Sequence, residues 1–164
     1  MPANPHWARW IHASVAKILR AEAVSIGVPC LIEGIDEHTP TFQESPDRIE
    51  VRVNGPFTQE LSAGYHRVLV GVNVLVSSQM GPSTKIAYKL DEILGQFHEV
   101  MDGALAVYRF GTGPGNDATS LLGCLTPRPG KNNNIRVIHF GQINRTDRLR
   151  QGMVDAQYVM YLSE

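Results

Sequence analysis

The chain has 164 residues, 43% of them hydrophobic and 19% charged, which suits one folded domain with a real core and argues against disorder. Fifteen Lys and Arg against sixteen Asp and Glu leave a net charge of −1, too little positive field to hold DNA by bulk phosphate neutralisation. Two cysteines, Cys30 and Cys124, make neither a disulfide framework nor a four-cysteine zinc site. No apolar run is long enough to span a bilayer, and Arg9, His12, Lys17 and Arg20 interrupt the apolar start that a secretion signal needs. The expectation is a soluble, intracellular protein.

Residues 5–25 predict an amphipathic helix. Trp7, Trp10, Ile11, Val15, Ile18 and Leu19 recur at helical spacing, Asn4 and Pro5 suit its start, and Gly27 and Pro29 its end. Residues 28–35 predict a short strand, and 36–46 a loop holding Pro40 and Pro46. Residues 47–54 alternate, with Ile49, Val51 and Val53 on one side and Arg48, Glu50 and Arg52 on the other, a half-buried strand that Asn54-Gly55-Pro56 should stop. Residues 65–76 set Val68, Val70, Val72, Val74 and Val76 on one face, the strongest strand signal and so the expected centre of the sheet.

Gly81-Pro82 predicts a turn. A second helix over 83–102 carries Ile86, Leu90, Ile93, Leu94, Phe97 and Met101 in one stripe, with Ser83 or Thr84 to cap it and Gly103 just past its end. Strands are predicted at 104–110, 134–140 and 153–162. Residues 111–133, with five Gly and three Pro, predict a long loop. The order α-β-β-β-α-β-β-β implies a single α+β domain over 1–164, with a mostly antiparallel sheet of about five to six strands and two main helices.

Motifs for chemistry are weak. Gly111-Thr-Gly113-Pro-Gly115 follows a predicted strand as a phosphate-binding turn would, but Pro114 interrupts it and no helix follows. His98-Glu-Val-Met-Asp102 puts an Asp where a zinc-protease helix needs its second His. The six histidines show no ligand spacing, although His66 and His139 in predicted strands could face each other across the sheet. Adjacent Asp91 and Glu92 do not share a helix face. Catalytic, metal and cofactor residues are therefore all expected to be absent.

The charge is unevenly spread. Residues 22–60 hold eight acids, including Glu44, Asp47 and Glu50, against two bases; residues 128–150 hold six bases, including Arg136, Arg145, Arg148 and Arg150, against Asp147 alone. The two segments either pair within one molecule, lie on solvated faces, or meet head to tail between copies, an arrangement that closes into rings where the rotation permits. The Arg-rich tip at 141–152 fits a protein interface, a solvated loop or a small nucleic-acid footprint.

The layout as a whole carries a resemblance. An N-terminal amphipathic helix opens the chain, an acidic strand pair leads into the Val-alternating strand from Tyr65 to Val76, and a helix containing Tyr88-Lys-Leu-Asp-Glu-Ile-Leu-Gly follows. Ala104-Leu-Ala-Val-Tyr-Arg comes next, and Val154-Asp-Ala-Gln-Tyr-Val-Met-Tyr-Leu closes the pattern. This resembles the tail terminator proteins of long-tailed bacteriophages and, more loosely, other tail-completion and neck proteins. The resemblance implies a non-enzymatic virion protein that forms a hexameric ring on the head-proximal end of the tail tube, ends its growth and meets the head connector. Its partners would be further copies of itself, the tail tube protein, the head–tail connector and genomic DNA passing without specific binding, with no membrane. The contact candidates are Glu44, Asp47 and Glu50 in the acidic segment, Gly113, Gly115 and Asn116 in the Gly/Pro loop, and Arg136, Arg145, Asp147, Arg148 and Arg150 at the basic end. The alternatives are another head–tail joining protein, or a small ligand-binding or enzymatic domain with a pocket between helix 83–102 and the sheet.

Overall fold

In the computed structural model, residues 4–79, 87–111, 118–128, 135–142 and 149–163 are described. The first helix, α1 (Trp7–Ile26), buries Trp7, Ile11, Val15 and Leu19 along one stripe, each aliphatic member contributing roughly 1.5–3 kcal/mol by leaving water. Asn4 serves its start through its side chain, which accepts from the His6 N–H at 2.9 Å. Gly27 ends it in the left-handed region at φ 70°, its N–H returning to the Ala23 and Val24 carbonyls.

The elements then run β1 (Cys30–Ile32), α2 (Pro40–Glu44), β2 (Asp47–Ser62), β3 (Tyr65–Gln79), α3 (Ala87–Met101), β4 (Leu105–Phe110), β5 (Ala118–Pro127), β6 (Ile135–Gln142) and β7 (Leu149–Ser163). The sheet order is β1-β2-β3-β7-β5-β4, with β6 also on β7. One edge of β7 follows β3 along its whole length. The other edge is shared, with β6 taking residues 150–156 and β5 taking Tyr158 and Val159. The sheet curls so that α1 packs on β1, β2 and β4, and α3 packs on β3, β6 and β7.

The expected α+β fold, with a mostly antiparallel sheet of five to six strands, is overturned. Among the described residues the sheet is mixed and has seven strands, β1 lying parallel to β2, and strand outweighs helix by 55% to 29%. Three local features depart from the expected pattern, and the first supplies the extra strand. Within the expected 111–133 loop lies β5, which shows no alternation because only its Leu125 is buried. Gly55 does not stop β2. Held at φ 99°, it makes a bulge into which a Cβ would come within 2.9 Å of the Leu69 carbonyl, and pairing resumes at Phe57. Within the expected 36–46 loop, Thr39 and Pro40 start the short α2, the Thr39 hydroxyl accepting from the Phe42 N–H. The long Val strand does stand between β2 and β7, with its five valines at 0–2% exposure beneath the helices. None of the described helices is long and apolar enough to cross a membrane. The expected turn at Gly81-Pro82, the caps Ser83 and Thr84, and Ile86 lie outside the described residues.

Tertiary hydrogen bonds tie the two ends of the curl to α1. The Tyr108 N–H donates to Ser14 Oγ at 2.9 Å, and the Trp10 indole N–H donates to the Phe110 carbonyl at 3.1 Å. His12 Nε2 donates to the Gly55 carbonyl at 2.7 Å. Across the core, the Tyr158 hydroxyl donates to the Met101 carbonyl at 2.6 Å, fastening the end of α3 to β7.

Candidate functional site

Alternation gives β2, β3 and β7 two faces. One is covered by α1 and α3. No described helix covers the other, which carries Arg52 and Asn54 of β2, Leu69, Gly71, Asn73 and Leu75 of β3, and Met153, Asp155, Gln157 and Tyr161 of β7. Two hollows meet there at Asn73. One, of about 320 Å³, lies over the bare backbone of Gly71 between Asn54, Phe57, Gln157 and Arg128. The other, of about 300 Å³, is walled by Leu31, Leu75, Met153 and Phe140. Beyond them the β2–β3 hairpin projects with Phe57 66% exposed, and Tyr65 stacks on Tyr161 with ring centroids 6.0 Å apart. Exposed aromatic side chains grouped on one face carry large apolar area with a polar tip, a surface suited to contact with macromolecules.

Among the described residues, no acidic contact candidate forms an ion pair with a basic one. Asp47 is held within its own chain, accepting from Ser78 Oγ at 2.5 Å and lying 2.5 Å from Lys89 Nζ. Arg136 pairs with Asp155 at 2.6 Å across β6 and β7, on the uncovered face. Glu50 is half-buried on β2, and Glu44 is exposed on α2 at the β1 side of the sheet. Arg150 sits on β7 and lines an open cleft of about 740 Å³ between α3 and the β6–β7 edge, together with Asp91, His98, Val137 and His139. Gly113, Gly115, Asn116, Arg145, Asp147 and Arg148 lie outside the described residues.

His66 and His139 do not face each other. His66 is buried edge-on against Trp7 with its Nε2 unpartnered, whereas His139 is exposed on β6, 3.5 Å from Asp91. His98 and Asp102 fall at the end of α3, and no group of three metal-ligating side chains forms among the described residues. Burial pushes the Cys30 thiol up to about 11, Arg20 opposing the shift and Asp36 adding to it. Burial also raises the Tyr158 phenol, with the charge of Asp102 adding to the effect. The cleft at α3 was legible only in part. His98 and Asp91 share a helix face at a spacing of seven, but the β6 side of the cleft depends on a register that the sequence does not display.

No protein-family model and no curated protein matches the chain. One solved structure, whose name states no function, aligns over 96% of this chain and 95% of its own at a TM-score of 0.50 and 12% identity. That likeness concerns the fold alone: the same curled arrangement of strands and helices recurs in an independently determined protein.

Proposed function

We propose that the chain is a ring-forming structural protein of a long-tailed bacteriophage that caps the head-proximal end of the tail tube, ends its growth and joins it to the head connector. The observation that carries this reading is the sheet face that no described helix covers, with Phe57, Tyr65, Phe140 and Tyr161 exposed along it. A face of that kind serves contact with other proteins. The layout of helices and strands that resembles the tail terminators adds to it. In this role the copies close into a ring, the projecting β2–β3 hairpin meets the tube protein, and genomic DNA passes through a nearly neutral opening that does not grip it.

The test is tube growth. Tail tube protein polymerising in the presence of this chain should yield tubes of limited length, carrying the chain at one end by gold labelling in electron micrographs. The variant Phe57→Ser/Tyr161→Ser should lose the end-binding while remaining folded. Unlimited tube growth with no bound chain refutes the role.

A further inference from the structure

We infer that the outer edge of β6 is a self-association surface, on which a second copy of this chain lays its own β6 antiparallel about a two-fold axis at Ile138.

The chain seals other edges of its sheet from within. At β1, the Ile32 N–H donates to Asp36 Oδ2 at 2.8 Å, and the Ile32 carbonyl accepts from the Ile35 and Asp36 N–H groups. At β4, the Tyr108 N–H and the Phe110 carbonyl are taken up by Ser14 and Trp10 of α1. The far half of β2 has no described strand on its outer side, but register shifts at Asn54/Phe57 and Glu60/Ser62 break it, a device that keeps foreign strands off. Strand β6 lacks these protections. It runs from Ile135 to His139 without a register shift, holds no Lys or Pro, and turns its one Arg onto Asp155.

Strand alternation shows which backbone groups of β6 face outward. The Gln157 carbonyl of β7 accepts from the Arg128 N–H at 2.9 Å, so odd positions of β7 face its β5 and β6 side. Asp155 and Met153 then bond Arg136 and Ile138, which leaves Val137 and His139 with their N–H and C=O turned away from β7. Among the described residues nothing bonds to these four groups. The edge is also open to solvent. Val137 is 40% and Phe140 50% exposed, and Arg136 and His139 are exposed beside them.

Self-complementarity names the occupant. With two β6 strands antiparallel about Ile138, Val137 of each copy stands opposite His139 of the other, and their outward N–H and C=O groups meet in hydrogen-bonded pairs. On one face Ile138 meets its own copy on the axis, with Arg136 beside Phe140 to either side, a cation over an aromatic ring. On the other face Val137 packs beside His139. Neither base stands opposite a like charge, and every exposed side chain from Arg136 to Phe140 gains a neighbour. The contact is isologous and closes after two copies. It is therefore separate from the head-to-tail contact of the proposed ring, and it pairs single chains or whole rings; its loss halves the mass in either case.

The experiment uses the full-length chain. Molar mass is followed by light scattering up to about 1 mM, where even a weak pair forms, with circular dichroism and thermal melts to verify folding. Val137→Pro deletes an outward N–H and none of the bonds to β7, and should halve the wild-type mass. Ile138→Lys and Ile138→Glu each set like charges on the axis and should halve it too. An equimolar mixture of those two should restore it, because opposite charges then meet on the axis. If Val137→Pro does not fold, the Ile138 pair carries the test. A wild-type chain of single-copy mass throughout overturns the contact, as does a mass that no folded variant changes, or a mixture that fails to restore it. Tube capping is read separately. Mass halved by the variants with no capping by the wild-type chain overturns the ring role and keeps the contact; capping with a mass insensitive to the variants does the reverse.

Discussion

Gly152→Ala tests how tightly β7 packs beneath Leu94 of α3. A Cβ built on Gly152 falls 2.5 Å from Leu94 Cδ1 and 3.2 Å from the Ile138 carbonyl oxygen. Carbon atoms sit best at roughly 3.5–4.0 Å, so the Leu94 methyl must retreat by about 1 Å. Leu94 is 1% exposed and has little room to turn. Forcing it off its rotamer, with some backbone shift across β6 and β7, should cost about 1–3 kcal/mol. The middle of that range lowers the melting temperature of a domain this size by roughly 4–8 °C. Urea denaturation of Gly152→Ala, Leu94→Ala and the double variant closes a thermodynamic cycle. Leu94→Ala alone should cost about 2–5 kcal/mol through the cavity it leaves. In the double variant the new methyl no longer collides and fills part of that cavity, so its cost should fall below the sum of the singles by at least about 1 kcal/mol. Additive costs, or a neutral Gly152→Ala, would refute the packing argument.

Four further outcomes are expected. Tyr158→Phe removes a buried hydroxyl from the Met101 carbonyl and should cost about 1–2 kcal/mol in urea denaturation at neutral pH. Because Cys30 and Tyr158 are both raised in the folded chain, the unfolded chain loses their protons first. Stability should thus fall as pH rises above about 9, and the fall should be shallower above about pH 10 in Tyr158→Phe; a melting temperature flat from pH 8 to 11 would contradict this. Maleimide labelling at pH 8 should modify exposed Cys124 quickly and Cys30, raised to about 11, far more slowly, read by mass spectrometry of the two peptides. Ser14→Ala leaves the Tyr108 N–H without its acceptor and should cost about 1–3 kcal/mol, with β4 amides exchanging faster than β3 amides by hydrogen exchange.

Elements with one clean buried face were legible in the sequence. The stripe of α1, the valines of β3 and the row Leu90, Ile93, Leu94, Phe97 and Met101 of α3 all face one core, and their periods survive in the bare sequence. What was hidden lacks such a face. Strand β5 is held by pairing to β4 and to two residues of β7, with Leu125 its sole buried side chain. The far half of β2 is exposed on both sides and owes its extension to register with β3. The site shows the same division. Charge asymmetry was readable as composition, but Asp47 was spent on Lys89 by the packing of α3 on the sheet, and Arg136 on Asp155 by the β6–β7 register. The cleft at α3 has walls from residues some forty positions apart or more, a distance at which hydrophobic periodicity carries no information.

The bonds from α1 to β4 also set an order of events in time. Trp10 and Ser14 find their partners at Phe110 and Tyr108, sequence separations of 100 and 94. On a ribosome adding about 5–20 residues each second, the helix emerges roughly 5–20 s before β4 exists. Contacts of such span also place the chain among slow folders. Through that interval the stripe of Trp7, Ile11, Val15 and Leu19 has β1, β2, β3 and, last, α3 to shelter against, but not β4, its most extensive partner. A nascent chain stalled before Leu105 would therefore display a tryptophan-bearing apolar helix to holding chaperones and to its neighbours on the polysome, and completion of the β4–β5 hairpin is the step that withdraws it.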